Sequence, residues 1–396
     1  MHRIISLMML CALLLVPIAN AQEDDRLQIV ASHSILGDVV QQVSGDLADV
    51  RVTMPAGADP HTFQPVPSDL TTIADADVVF INGAFFEEGL LEAIENASTD
   101  MNIVAVSSCV EIISFSDHDH DEDAHDDDHD DHEHDEDAHD DDHDDSMSAL
   151  CEQHINEMHA LHDDDHAHED EGDHAHEDDD DHDHSEYEVL GRLYALDCGD
   201  GHNDDEADEG DEEHAHGMCD PHVWMEPHNV MYWTMLIRDT LSELDPANAA
   251  QYADNASRYL AELDTFSHDV MRPMLESVPV DSRVLITSHD SLGYLAANYD
   301  FEIITTIIGG GSTVAEPSAA AIAGVIDLIR EEGVSAIFGE TTVRDTLASQ
   351  IADETGAELF VLYSGSLSDE AGPASTYLDY MRYNVSTIVE ALGGME

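Results

Sequence analysis

The chain has 396 residues, and 90 acidic against 11 basic side chains give it a formal net charge of −79 at pH 7. All eleven basic residues are arginine. Like charge repels nucleic acid and anionic membrane surfaces, so neither is an expected partner, whereas cations are.

The length suits two ordinary domains, or one bilobal body with an insertion. The chain opens with Arg3, an apolar run Ile4–Ile18 and Ala19-Asn20-Ala21. This pattern predicts a signal peptide over residues 1–21, cleaved after Ala21, and a periplasmic or secreted protein. The run is too short to cross a bilayer, and no later stretch qualifies. Cys11 lies inside the run and not at the cleavage site, which argues against a lipid-anchored start. Cys109, Cys151, Cys198 and Cys219 remain. An even count in an oxidising compartment favours disulfides, and four cysteines leave three pairings open. No CxxC supports a cysteine-based metal site.

Residues 22–116 alternate strand and helix patterns and, with 217–230, are expected to form an N-terminal lobe. "LQIVAS" (27–32) and "ADVVFING" (76–83) read as buried parallel strands; "ILGDVVQQVSG" (35–45) and "EEGLLEAIENA" (87–97) read as helices. Such alternation predicts an α/β lobe with a mostly parallel sheet.

Residues 117–216 hold 20 of the 27 histidines and 46 of the 90 acids. "HDEDAHDDDHDD" occurs at 120–131 and again at 134–145. A segment so poor in apolar side chains cannot offset its ordering entropy, so this low-complexity insertion is expected to be disordered without metal. Within it, "HINEMHALH" (154–162) suits a short helix, and "YEVLGRLYALDC" (187–198) suits a strand or hairpin docked on the body. HxH pairs such as His132/His134, His166/His168, His174/His176, His182/His184 and His214/His216 suit two-imidazole chelation. The segment reads as a weak zinc collector, a sensor of zinc excess, or a solvated acidic tract.

Globular sequence resumes at "CDPHVWMEP" (219–227). Residues 231–279 are predicted to be a linking helical region. Its second pattern runs from Pro246 to Met271, with Asp245 as N-cap and Pro246 at the first helical position. Residues 280–396 are expected to form a C-terminal lobe. Its strands are "RVLITS" (283–288), "EIITTI" (302–307), "SAIFGE" (335–340) and "ELFVLY" (358–363), alternating with helices that end in "STYLDYMRYNVSTIVEAL" (375–392). The fold class is therefore α/β: two open, mostly parallel-sheet lobes joined by one long helix.

Six histidines lie outside the leader and the insertion: His33, His61, His222, His228, His268 and His289. His268 reads as a solvated mid-helix residue, His228 as a helix cap and His33 as a turn or cleft residue. His61 and His222 each follow Asp-Pro, which stiffens the backbone before the ring. His289 ends a strand, where open α/β sheets bind ligands. Neutral imidazole is a common zinc ligand.

These stretches resemble the zinc/manganese solute-binding proteins of ABC transporters, whose two lobes are joined by one long helix. The resemblance is carried by "GADPHTFQPVPSDL", "CDPHVWMEPHN", "DPANAAQYADNASRYLAELD", "TSHDSLGYLAANY" and "TYLDYMRYNVSTIVEAL". The acidic, histidine-rich insertion resembles the zinc-specific branch. The resemblance implies metal ligands at His61, His222 and His289. The family's fourth position, an Asp or Glu in the loop after the last strand, aligns here with Gly365. Glu340 and Asp369 are the alternatives for a fourth ligand, with water as a third. Glu340 also reads as a carboxylate that merely orients a loop.

Three imidazoles favour Zn2+ over Mn2+, which prefers carboxylate oxygen and lies lower in the affinity order. The expected function is capture of Zn2+ between the lobes and delivery to an ABC permease, by a monomer that is not an enzyme. A cell-surface partner is a further expectation. The other readings are a zinc-storage or adhesion protein built around the insertion, and a zinc hydrolase. The hydrolase would use an open fourth position to activate water, but the sequence has no HExxH.

Overall fold

The computed structural model describes residues 26–97, 101–113, 144–163, 192–193, 219–309, 313, 317–343 and 346–394. The predicted leader and most of the histidine-rich insertion, including the HxH pairs named above, lie outside them. Among the described residues no helix is long and apolar enough to cross a membrane.

The first lobe is a five-stranded, all-parallel sheet of order β2-β1-β3-β4-β5. Its elements are β1 (Leu27–His33), α1 (Ser34–Ser44), β2 (Ala48–Met54), α2 (Pro67–Ala74), β3 (Val78–Ile81), α3 (Glu88–Ala97) and β4 (Ile103–Ala105). In α1, Ile35, Leu36, Val39, Val40 and Val43 recur at helical spacing and are all fully buried. That stripe fastens the helix to the sheet. Gly45, at φ 57°, ends it in a conformation that side chains with a Cβ resist.

Inside the insertion, α4 (Asp144–Asp163) extends well beyond the helix expected near His154. The Cys109–Cys151 disulfide pins it to the lobe. Leu150 and Met158 enter the core, and His154 Nε2 lies 2.7 Å from Asp239 Oδ2. Arg238 joins Glu157 at 2.8 Å. Cys219 is also disulfide-bonded. The docked strand expected in 187–198 is represented by β5 (Arg192–Leu193), which pairs in parallel with β4.

The linking region holds two helices, α5 (Pro227–Leu244) and α6 (Ala249–Thr265). Asp245 is the C-cap of α5 and not the N-cap of the next helix; Asn248 takes that role. The Asp245 carboxylate still serves the turn, accepting from Asn248 Nδ2 and from the Tyr252 hydroxyl. Helix α6 passes through a π turn (Phe266–Met271) into α7 (Arg272–Glu276). Pro273 gives the π turn its reason, because proline lacks an N–H and clashes with the carbonyl one turn back.

The second lobe is a four-stranded, all-parallel sheet of order β7-β6-β8-β9. It is built from β6 (Val284–Thr287), α8 (Gly293–Tyr299), β7 (Glu302–Thr306), α9 (Ala319–Glu332), β8 (Ala336–Glu340), α10 (Thr346–Thr355), β9 (Glu358–Leu362) and α11 (Tyr377–Ala391). One hydrophobic core runs from the first sheet through α1, α5, α6 and α7 into α8, α11 and the second lobe. A smaller cluster, Ile286, Ile307, Val325, Ile326, Ile329, Ile337 and Ile351, is separate from it.

Helix α11 ties the lobes together. The Tyr377 hydroxyl donates to the Trp224 carbonyl at 2.8 Å, and the Tyr377 backbone N–H donates to Asp38 on α1 at 2.9 Å. The Trp224 indole N–H donates to the Ser364 carbonyl and to the Tyr380 hydroxyl oxygen. All three aromatic rings are fully buried.

Candidate metal centre

His61 lies in the loop between β2 and α2. His222 precedes a short 3-10 turn (Val223–Met225), and His289 lies two residues beyond β6. These three bring one donor atom each within 4.8 Å of one another, and among the described residues they are the only such group of three or more. Their ring centroids lie 5.1 to 5.8 Å apart.

Two of the rings are held by carboxylates. His222 Nδ1 lies 2.8 Å from Asp220 Oδ1, and the same oxygen accepts the His222 backbone N–H. His289 Nδ1 lies 2.7 Å from Glu340 Oε1, which also faces the His289 N–H at 3.2 Å. A carboxylate behind Nδ1 fixes the ring and presents Nε2 to an ion. The two Nε2 atoms face each other at 3.3 Å.

His61 is built differently. Asp59, two residues before it, reaches the His61 backbone N–H at 3.1 Å and not the ring. Its other oxygen accepts the Thr313 hydroxyl of the second lobe at 2.8 Å. Both His61 ring nitrogens are buried with no hydrogen-bond partner. Such an orphaned polar group is costly in a pocket that holds only protein, and fits one shaped for a ligand.

The electrostatics of the two anchored rings differ. Burial pulls His289 down, but the charge and hydrogen bond of Glu340, with Asp59 and Asp220 nearby, hold it above the ordinary imidazole value. Burial raises Glu340, yet His289 brings it below the ordinary carboxylate value. Each partner thus favours the charged form of the other. Burial instead drives His222 well down, helped by the charge of His289, and pushes Asp220 up to about 7. Burial and the two neighbouring histidines lower His61 to about 3. A contact between two facing Nε2 atoms needs one proton between them, carried by one ring and accepted by the other.

The alternative fourth ligands divide. Glu340 Oε1 is committed to His289, while its Oε2 is buried with no hydrogen-bond partner and lies outside the converging group of donors. Asp369 is exposed, and its Oδ1 accepts from Ala371 N–H in its own turn. Gly365 packs against the His61 loop so closely that a Cβ there would lie 2.8 Å from Pro60 Cγ. No carboxylate fits at that position without moving the loop.

Sequence reasoning credited the Asp-Pro steps with stiffness and missed that Asp220 holds the next ring; the two-residue spacing was the available signal. It also missed the aromatic wall. Phe86 lies 5.9 Å from His61 and 4.8 Å from Trp224, and His33 lies 5.0 Å from Phe86. Phe86 follows Ala84 and Phe85, both at positive φ, a strained turn knitted by Glu87 accepting from Asn82 N–H, Gly83 N–H and the Ser32 hydroxyl. The adjacent Asn82 side chain also donates to the Pro221 carbonyl at 3.1 Å, one residue before His222.

The chain matches the family model described as ZnuA, zinc-uptake complex component A periplasmic, over residues 29–391. It is 26% identical over 377 residues to the manganese-binding lipoprotein MntA of Halalkalibacterium halodurans, covering 94% of this chain and 91% of that one. It is 35% identical over 178 residues to the iron-binding protein YfeA of Yersinia pestis, covering 45% of this chain and 56% of that one. The Mn-bound periplasmic metal binding protein from Candidatus Liberibacter asiaticus superposes with a TM-score of 0.60 at 25% identity, over 92% of this chain and 98% of that one. The periplasmic zinc binding protein TroA from Treponema pallidum gives a TM-score of 0.63 at 19% identity, over 93% and 99%, and so shares the fold. The chain belongs to the ZnuA family, the extracytoplasmic substrate-binding proteins of metal ABC transporters, which are not enzymes.

Proposed function

We propose that this protein captures Zn2+ at His61, His222 and His289 and hands it to an ABC permease for zinc uptake. One observation carries the reading: three imidazole donors converge within 4.8 Å, and no carboxylate belongs to the group. Manganese is a hard ion that favours carboxylate and water oxygen, whereas zinc takes imidazole readily in a four-coordinate site. With no carboxylate in the converging group and no side chain at 365, water completes the shell. Copper would outbind zinc on affinity alone, so availability in the compartment decides between them. Mn2+ is the competing cargo, supported by the names of several relatives.

Loading is an exchange of ion for proton. The proton held between the facing Nε2 atoms of His222 and His289 occupies the place where the ion would sit, and its departure frees both nitrogens. Export through a leader cleaved after Ala21 completes the reading, with the N-terminal lobe over 22–116 and 217–230 and the C-terminal lobe from 280 onward. The histidine-rich insertion would collect zinc near the site.

The test is calorimetry of the full chain with zinc, then manganese, each buffered by a competing chelator so that only a tight site fills. One tight zinc site, lost in His222→Ala and in His289→Ala, is expected. A tight site unaffected by either substitution, or tighter for manganese than for zinc, overturns the reading. Many weak sites with no tight one would favour storage on the insertion.

A further inference from the structure

We infer that His228 and His268 form a second binding site for a divalent transition-metal ion, where α5 meets the π turn of the long helix. The inference goes beyond the three-histidine site and does not depend on it. The two rings come from residues forty apart in sequence, yet their centroids lie 5.3 Å apart with planes at 83°. That separation falls inside the 5.1 to 5.8 Å range of the three converging rings.

The supporting carboxylates repeat as well. His228 Nδ1 lies 2.6 Å from Glu226 Oε1, the same i−2 relation that joins His222 to Asp220. His268 Nδ1 lies 3.0 Å from Asp264 Oδ1 and 3.2 Å from the Asp264 carbonyl. Each ring therefore commits Nδ1 to oxygen and would ligate through Nε2, exchanging whatever bond that atom makes in the ion-free protein. The π turn supplies the geometry: one extra residue per turn rotates His268 from its regular helical bearing, and such turns gather at functional sites.

Charge favours an ion here, on balance. His228 stands in the first turn of α5, whose positive end opposes a cation with about half an elementary charge. Glu226, the N-cap of that helix, and Asp264 set two carboxylates against it. Arg272, one turn after His268, is engaged over the Tyr299 ring at 5.0 Å. Two imidazoles with water completing the shell make a weaker, more labile site than three buried ones. Side-chain exposures of 25% and 41% leave both rings open to solvent. The class of ligand is an ion of the zinc, copper or nickel type, since soft-to-borderline metals take imidazole.

The experiment is histidine footprinting of the full chain with diethyl pyrocarbonate across a zinc chloride titration, read peptide by peptide by mass spectrometry. Because each ring is read separately, zinc taken up by the histidine-rich insertion or by the other site does not register. His228 and His268 are expected to become protected together, with one midpoint. At about ten times the dissociation constant each ring is occupied about nine-tenths of the time and reacts about tenfold more slowly. In His268→Gln the protection of His228 should disappear. Asp264→Asn, which keeps both rings, should move the shared midpoint to about 10–100-fold higher zinc. Protection of neither ring up to millimolar zinc, different midpoints for the two, or His228 protection that survives in His268→Gln would overturn the inference.

Discussion

The two halves of the three-histidine site are built on different principles. At the His222/His289 corner, carboxylates grip both rings from behind, so the donors are aimed before any ion arrives. At the His61 loop the ring has no such grip: Asp59 holds only the backbone, and Thr313 and Gly365 steady the loop from the other lobe. The corner supplies aim, whereas the loop supplies closure and depends on how the lobes meet. In the proposed site, that division would let the ion leave by movement of one loop, without disturbing the two buried carboxylate–histidine pairs.

Removing a corner ring should have the largest effect. His222→Ala or His289→Ala is expected to weaken zinc by well over about 100-fold, since loss of an outer partner alone costs about 10–100-fold. If His61→Ala cost more than either, the corner would not be the seat of affinity. Next in size, Asp220→Asn should weaken zinc by about 10–100-fold with little change in fold, read by calorimetry.

A smaller effect is expected from Gly365→Ala. Its new Cβ would press Pro60 and displace His61, an overpacking worth about 1–3 kcal/mol. The sharp form of the comparison is that zinc affinity falls while the Asp220 and Glu340 contacts persist. Restoration of affinity by Pro60→Ala would place the effect in the loop.

pH separates the halves further. The facing Nε2 atoms of His222 and His289 hold a proton between them that zinc must displace, so loading should release protons and weaken as pH falls. Calorimetry in buffers of different ionisation heat reads this directly. His61 is already neutral at pH 7 and contributes nothing to that release.

Stability of the ion-free protein gives the smallest signal. His33 and His61 fall to about 3 in the fold, so the unfolded chain takes up their protons first. Their contribution is full above about 6.5 and is lost as pH falls toward 3. His289 acts oppositely, stabilising the fold at acid pH and losing that contribution as pH rises through its raised value. His33 is buried with neither ring nitrogen bonded. His33→Leu should therefore flatten the acid limb of a thermal-melt series and leave zinc binding unchanged.

Much of this was legible in the sequence. Both parallel sheets follow from β-rich runs alternating with helical stripes, and the three histidines stood out because the rest of the chain outside the insertion has so few. What could not be read is what depends on distant partners. Glu340 becomes an orienting group only because β8 lies beside β6, and no local pattern reveals that neighbour. The π turn before Pro273 hid inside a clean helical pattern; His268 is solvent-exposed, as its sequence position suggested, but its approach to the His228 ring was not legible. Asp245 looked like a helix start because Asp-Pro usually marks one, but the preceding helix used it first.

Helix α11 carries one more implication. Its tyrosines brace Trp224, which neighbours His222, and the loop at Ser364 opposite His61's support, so the last helix in chain order completes the cradle. A protein threaded across a membrane unfolded would thus reach the outside unable to seize an ion until its C-terminal part had docked. Any product truncated before Tyr377 should lack the tight three-histidine site, whatever its insertion can still collect.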